Sequence, residues 1–237
     1  MAGCIASSDP ALVIPYGCAR VPARLADVPC VSLARTPRRM LRLSDGPYPL
    51  AEPPTAAQLA DGAAQRALLA AHLVGLSDPW AALPRRLIAR WLDFAAWRVA
   101  AQADALGARL ARFGGLYRVE DFAFAAPRPL PRAHVARADG AGWVATDIAF
   151  WTGETVLALD IADGRRTARR RAADHAALRA AGAVVLELAP ETVDAAFAVW
   201  CARLPAALTD FCAGVRRPAS PFTTAALGDI VEGGLGG

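Results

Sequence analysis

Residues 144–189 decide the fold: VATDIAFW at 144–151, TVLALDIADG at 155–164, RRTARRRAADHAALRAAG at 165–182 and AVVLELA at 183–189. The first two pieces are short runs rich in branched and aromatic side chains. That pattern predicts two strands joined by a hairpin-like connection at Thr152-Gly153. The arginine-rich piece predicts a helix over 165–181, and AVVLEL a short buried strand. Each of the first two strands carries one aspartate, Asp147 and Asp160. Asp160 stands between LAL and IA, where an unpaired charge is costly, so it needs a function or a buried partner. Asp147 has a plainer alternative, that of a hydrogen-bonding residue at a strand end.

Outward from this core, Leu83 to Phe113 carries the longest helical pattern. Leu87, Trp91, Phe94, Ala95 and Val99 share one face, and Arg85, Arg86, Arg90 and Arg98 lie on or near the other. Gly107 is a candidate bend, and Gly114-Gly115 the end. LYRVEDFAFAAP, 116–127, is expected as the first strand, and 127–142 as a loop with a turn at Asp139-Gly140. Upstream, Thr55 is a helix N-cap for 55–76, weakened by Gly62. ALVIPYG and DVPCVSLA are candidate short strands in a proline-rich start whose prolines forbid long helices. Arg35, Arg38, Arg39 and Arg42 form either a phosphate-contacting patch or a solvated loop. Residues 190–212 predict a closing helix interrupted near Pro205, and the chain beyond Arg216 a mobile tail. The organisation expected is an N-terminal extension over 1–80, a core over 81–215 and a tail over 216–237.

Composition narrows the chemistry. Hydrophobic residues make up 55% of the 237, enough for a core. All 26 basic residues are arginine. That removes Schiff-base, P-loop-lysine and lysine-base chemistry. The net charge of +4 permits a polyanionic partner without requiring one. Five cysteines and three histidines show no zinc-ligand spacing. Reduced thiols, the lack of a basic leader with an apolar core, and the lack of an 18-residue apolar run predict a cytoplasmic protein without a membrane span. No serine nucleophile elbow or glycine-rich phosphate loop is present. Among the six tryptophans, Trp151 at the hairpin tip is a candidate for stacking on a base, against the commoner role of core packing.

The order helix, three strands, helix, strand, with LALDIADG, a basic helix and AAGAVVLEL, resembles the core of the PD-(D/E)XK nuclease superfamily. The nearest likeness is to its very-short-patch-repair and DUF559-like branch, and it covers roughly 85–200. It implies an α/β, restriction-endonuclease-like mixed sheet flanked by helices, behind the N-terminal Pro-rich and helical extension. Asp147 matches the first acid, in TD rather than PD. Asp160 matches the second acid, and Asp163-Gly164 resembles the branch's DG with one residue more. The position of the family's lysine is Ala162, and no histidine follows the glycine where the branch has one.

What the resemblance implies is a metal-dependent DNA endonuclease. Asp147 and Asp160 would hold Mg²⁺ or Mn²⁺, with Asp163 as an outer-shell acid or base. Asp93, Asp104 or Glu120 would complete the site. Arg165, Arg166 and Arg169 would contact phosphates, against the plain reading of a solvated arginine face. Asp174 is placed to pair with Arg170 at i+4, and His175 is expected as a surface or packing residue. Because Ala162 cannot orient a water, a second reading stands beside the first. In it the chain is a nuclease-fold protein without catalysis that binds nucleic acid or serves in an assembly, with a protein partner docking through the N-terminal extension. An unrelated α/β fold is the third.

Overall fold

The computed structural model describes residues 12–33, 41–42, 55–152, 155–213, 215 and 218. Arg35, Arg38 and Arg39, Gly153 of the predicted hairpin and most of the predicted tail lie outside the described residues. So does the side chain of Arg42.

The chain opens with three short strands, β1 (Leu12–Pro15), β2 (Cys30–Leu33) and β3 (Leu41–Arg42), in one antiparallel sheet. Helices α1 (Ala56–Ala60) and α2 (Gly62–Gly75) follow. Thr55 caps α1 as its spacing predicts, in a reciprocal capping box with Gln58. Asp61 then accepts from the Ala63 N–H and starts α2, so Gly62 sits at a helix start rather than inside one helix.

The predicted long helix is two: α3 (Ala82–Ala100) and α4 (Ala103–Leu110). The break is at Ala101-Gln102, not at Gly107, and the Gln102 side chain donates to the Arg98 carbonyl left open there. The apolar face of α3 is buried as read. Two of its arginines turn to the chain's C-terminal part: Arg86 pairs with Asp194 at 2.8 Å, and Arg90 donates to the Ala195 carbonyl at 2.6 Å.

The first strand of the main sheet lies elsewhere than expected. Residues Val119–Ala125 form 3-10 helix. Phe122, Ala123 and Phe124 are buried in succession, which an alternating strand cannot do, and the Asp121 carboxylate accepts from the Arg118 N–H at 2.8 Å. The strand β4 is Leu130–Ala136, inside the expected loop. Its prolines mislead: Pro131 lacks a ladder donor, yet on this outer strand it still accepts from the Gly17 N–H at 2.8 Å.

From here the order follows the prediction: β5 (Trp143–Trp151), β6 (Val156–Ile161), α5 (Ala168–Ala180) and β7 (Val184–Leu188). The sheet order is β4-β5-β6-β7, antiparallel, antiparallel and parallel. The molecule is thus mixed α/β with a four-stranded mixed sheet flanked by helices. β6 is buried along its whole length, as a central strand covered on both faces must be. β7 is an outer strand with Val184 53% exposed, against the buried strand expected. The closing helix is three short ones, α6 (Pro190–Asp194), α7 (Phe197–Ala202) and α8 (Ala206–Thr209), separated by extended residues at Ala195-Ala196 and at Pro205.

Two clusters cover the sheet. On one face Ile148, Phe150, Leu157, Leu159 and Ile161 pack with α2, α3, α4 and the closing helices. On the other, Ala149, Trp151, Val156 and Ala158 pack with Ile14 and Val31 of the opening sheet, with Tyr16 just after β1 and with Leu178 of α5. The expected N-terminal extension therefore shares both clusters with the core. Trp151 is 7% exposed and belongs to this packing, so it offers no face to a base. Among the described residues, no helix is long and apolar enough to cross a membrane.

Candidate functional site

The β5–β6 ladder ends at Ile148↔Leu159, and the β4–β5 register skips Arg132 and Asp147. Arg132 has φ +47°, a left-handed backbone uncommon for a residue other than glycine. Side chains take over where the ladder stops. Thr146 Oγ1 donates to the Leu159 carbonyl at 2.7 Å, and Asp147 Oδ2 accepts from the Ile161 N–H at 2.7 Å. Asp147 thus makes a backbone hydrogen bond from the middle of β5 rather than from a strand end, and Ile161 carries it beside Asp160.

The two aspartates converge on one guanidinium. Arg166 Nη2 lies 3.2 Å from Asp147 Oδ2 and closes on Asp160 Oδ1 as an ion pair. Asp160 is 1% exposed and has further partners. His175 Nε2 is 2.9 Å from its Oδ2, and Arg171 Nε is 3.4 Å away as an ion pair outside hydrogen-bond geometry. Because a carboxylate only accepts, the imidazole donates through Nε2. Glu187 stands opposite Asp160 in the parallel β6–β7 register and takes Arg171 at 3.3 Å. Burial lowers the His175 pKa, opposed by Glu187 and reinforced by the cations of Arg179, Arg166 and Arg171.

Arg165 is a second hub. It reaches Asp147 Oδ1 at 3.3 Å and Asp78 Oδ2 at 3.5 Å, and closes on Asp163 Oδ2. Asp163 also accepts from the Arg165 N–H at 3.1 Å, shaping the turn before Thr167, the α5 cap. Ala162, where the family lysine would stand, gives its N–H to the Leu188 carbonyl. Asp174 pairs with Arg170 at i+4 as expected. Arg169 is exposed and has no carboxylate partner among the described residues.

A cleft of about 250 Å³ opens beside this network. Arg132, Arg165 and Arg166 line it against Asp78 and Asp147, together with His134 and Ser77. His134 is oriented by the Cys18 carbonyl, 3.0 Å from Nε2. Arg132 has no carboxylate partner among the described residues. Arg165 and Arg166 are held in ion pairs with Asp78, Asp147, Asp160 and Asp163, so Arg132 is the lining guanidinium left open to an anion. Asp160 lies behind the cleft, buried.

The expected carboxylates do come together, but the donor set does not fit a divalent cation. Every carboxylate oxygen of Asp147 and Asp160 already faces an N–H or a cation, and a guanidinium sits between the two groups where a shared ion would have to sit. Among the described residues, no group of three or more His, Cys, Asp or Glu is arranged to hold a metal. Asp93, Asp104 and Glu120 are exposed and belong neither to the cleft nor to the network, so none completes the site. The sequence reading missed Arg132, His134, Asp78, Arg171 and Glu187, and it placed His175 too loosely. The i, i+4 spacing of Arg171 and His175 was the one signal available.

No protein-family model, curated protein or solved structure matches this chain.

Proposed function

We propose that this chain is a PD-(D/E)XK-like, restriction-endonuclease-type fold that binds nucleic acid in its arginine cleft without hydrolysing it. The order α3, β4, β5, β6, α5, β7, with β7 parallel to β6, supports the fold reading. The observation that carries the function is Arg166. Its guanidinium takes the position between Asp147 and Asp160, and Asp160 is further met by the Arg171 cation and by a hydrogen bond from His175. A paired, buried carboxylate of this kind is structural, whereas a cation site keeps its ligands open on the cleft side. Ala162 supplies no group to orient a water. What remains on the cleft wall without a carboxylate partner among the described residues is Arg132, whose planar fork suits phosphate oxygens.

The convergence of the two aspartates supports a second reading, the Mg²⁺- or Mn²⁺-dependent DNA endonuclease, in which the ion would have to displace Arg166. One experiment separates the two. Purified protein is incubated with supercoiled plasmid and Mg²⁺ or Mn²⁺, beside an Asp147→Ala/Asp160→Ala control, and binding of labelled DNA is measured against salt. The expected result is binding without metal-dependent nicking, with Arg132→Gln lowering the salt slope by about one unit. Nicking that disappears in the control overturns the proposal in favour of the endonuclease.

A further inference from the structure

We infer that Trp80 is a stacking platform for an unpaired base, so that the ligand of the arginine cleft is single-stranded nucleic acid; this rests on the cleft being a phosphate-backbone site. Trp80 is 90% exposed, an unusual position for the largest apolar side chain. Trp97, 49% exposed, is packed against the rings of Phe94 and Phe197, whereas Trp80 makes no ring contact among the described residues.

Its place is fixed rather than incidental. Trp80 lies in the turn between α2 and α3, and Ser77, Asp78 and Ala81 of the same turn line the cleft. The Trp80 N–H donates to Asp78 Oδ1 at 3.0 Å, and the other oxygen of that carboxylate pairs with Arg165. The Ala81 N–H closes the turn onto the Asp78 carbonyl, and Ser77 Oγ anchors it to the Leu73 carbonyl at 3.1 Å. One carboxylate thus ties the indole-bearing residue to a cleft arginine.

The cleft, about 250 Å³, is smaller than the roughly 300–1,000 Å³ of pockets that engulf a whole small ligand. It takes a phosphate–sugar portion and leaves the rest at the rim. An exposed flat ring in the turn that lines an arginine-bearing cleft is an arrangement that holds single strands, because every base has a π-face. In a duplex those faces are covered by neighbouring base pairs, so a duplex gains the phosphate contacts alone.

The test uses the full chain and three probes at low salt: a labelled oligothymidylate, a DNA duplex of the same length, and inorganic polyphosphate, which has phosphates but no bases. We expect the oligothymidylate to bind more tightly than the duplex. Trp80→Ala should weaken it by about ten-fold, the stacking contribution expected of one aromatic–base contact, and Trp80→Phe should recover most of that loss. Polyphosphate affinity should be the same in Trp80→Ala as in the unchanged chain, while Arg132→Gln weakens both. Oligothymidylate affinity indifferent to Trp80→Ala, with both probes weakened by Arg132→Gln, overturns the stacking role and leaves the cleft reading intact. Equal loss for polyphosphate would make Trp80 a structural residue, and duplex preferred over single strand would remove the ligand class; either overturns the inference. Failure of the unchanged chain to bind any of the three, including when Trp80 instead docks a protein, overturns the cleft reading with it.

Discussion

Replacing Asp160 by alanine tests the structural assignment of the acidic pair directly. Asp160 is 1% exposed, and its partners Arg166, Arg171 and His175 are 25%, 15% and 8% exposed at the side chain. Removing one member of a buried pair costs about 3–5 kcal/mol, because the remaining charge is left uncompensated. Here Arg166 retains Asp147 and Asp174, and Arg171 retains Glu187, which places the loss near the lower end, about 3 kcal/mol. For a chain of this size that corresponds to a fall of roughly 10 °C in Tm. The assay is thermal and urea unfolding of the metal-free protein, with Asp160→Asn beside it to hold the shape while removing the charge. A cation site behaves in the opposite sense: its carboxylates repel when no ion is bound, so removing one raises stability. Unchanged or increased stability in Asp160→Ala would refute the ion-pair reasoning.

His175 makes stability depend on acidity. Its pKa in the folded protein is depressed, first by burial, so the unfolded chain binds a proton that the folded one resists. Its contribution is complete above the ordinary histidine value of 6.5 and is lost as pH falls from there through the depressed folded pKa. His72, also lowered by burial, acts in the same direction; urea midpoints measured across that window should flatten in His175→Gln, and an unaltered profile contradicts the assignment. Thr146→Val should lose about 1–3 kcal/mol in urea unfolding, because the buried Leu159 carbonyl loses its hydroxyl donor where the ladder splays; a loss near zero would mean that another donor replaces it. Gly17→Ala should destabilise by about 1–2 kcal/mol in the same assay, since Gly17 has φ +73° and an added Cβ would meet Leu76 Cδ2 at 2.9 Å. A neutral result there would show that the loop readjusts freely.

The sequence by itself determined the local and one-dimensional features. Runs of branched and aromatic residues located β5 and β6, periodicity placed α3, the arginine-rich segment marked α5, and the helix N-cap Thr55 and the i+4 pair Arg170–Asp174 depend only on neighbours in the chain. The apolar setting of Asp160 already demanded a partner, and the structure supplies three. Tertiary structure decided the rest. Consecutive burial of Phe122–Phe124 overrides an apparent alternation, and Pro131 hides a strand whose outer position tolerates it. The character of the site was beyond local reading altogether. Arg166 meets both aspartates only because the β5 ladder splays at Asp147 and the turn after β6 returns along it. Arg171, His175 and Glu187 reach Asp160 only because the α5 crossover sets β7 parallel to β6, bringing Glu187 level with it. Sequence spacing can nominate two carboxylates for a shared cation, but which cation stands between them depends on long-range packing, and here it is a guanidinium of the chain itself.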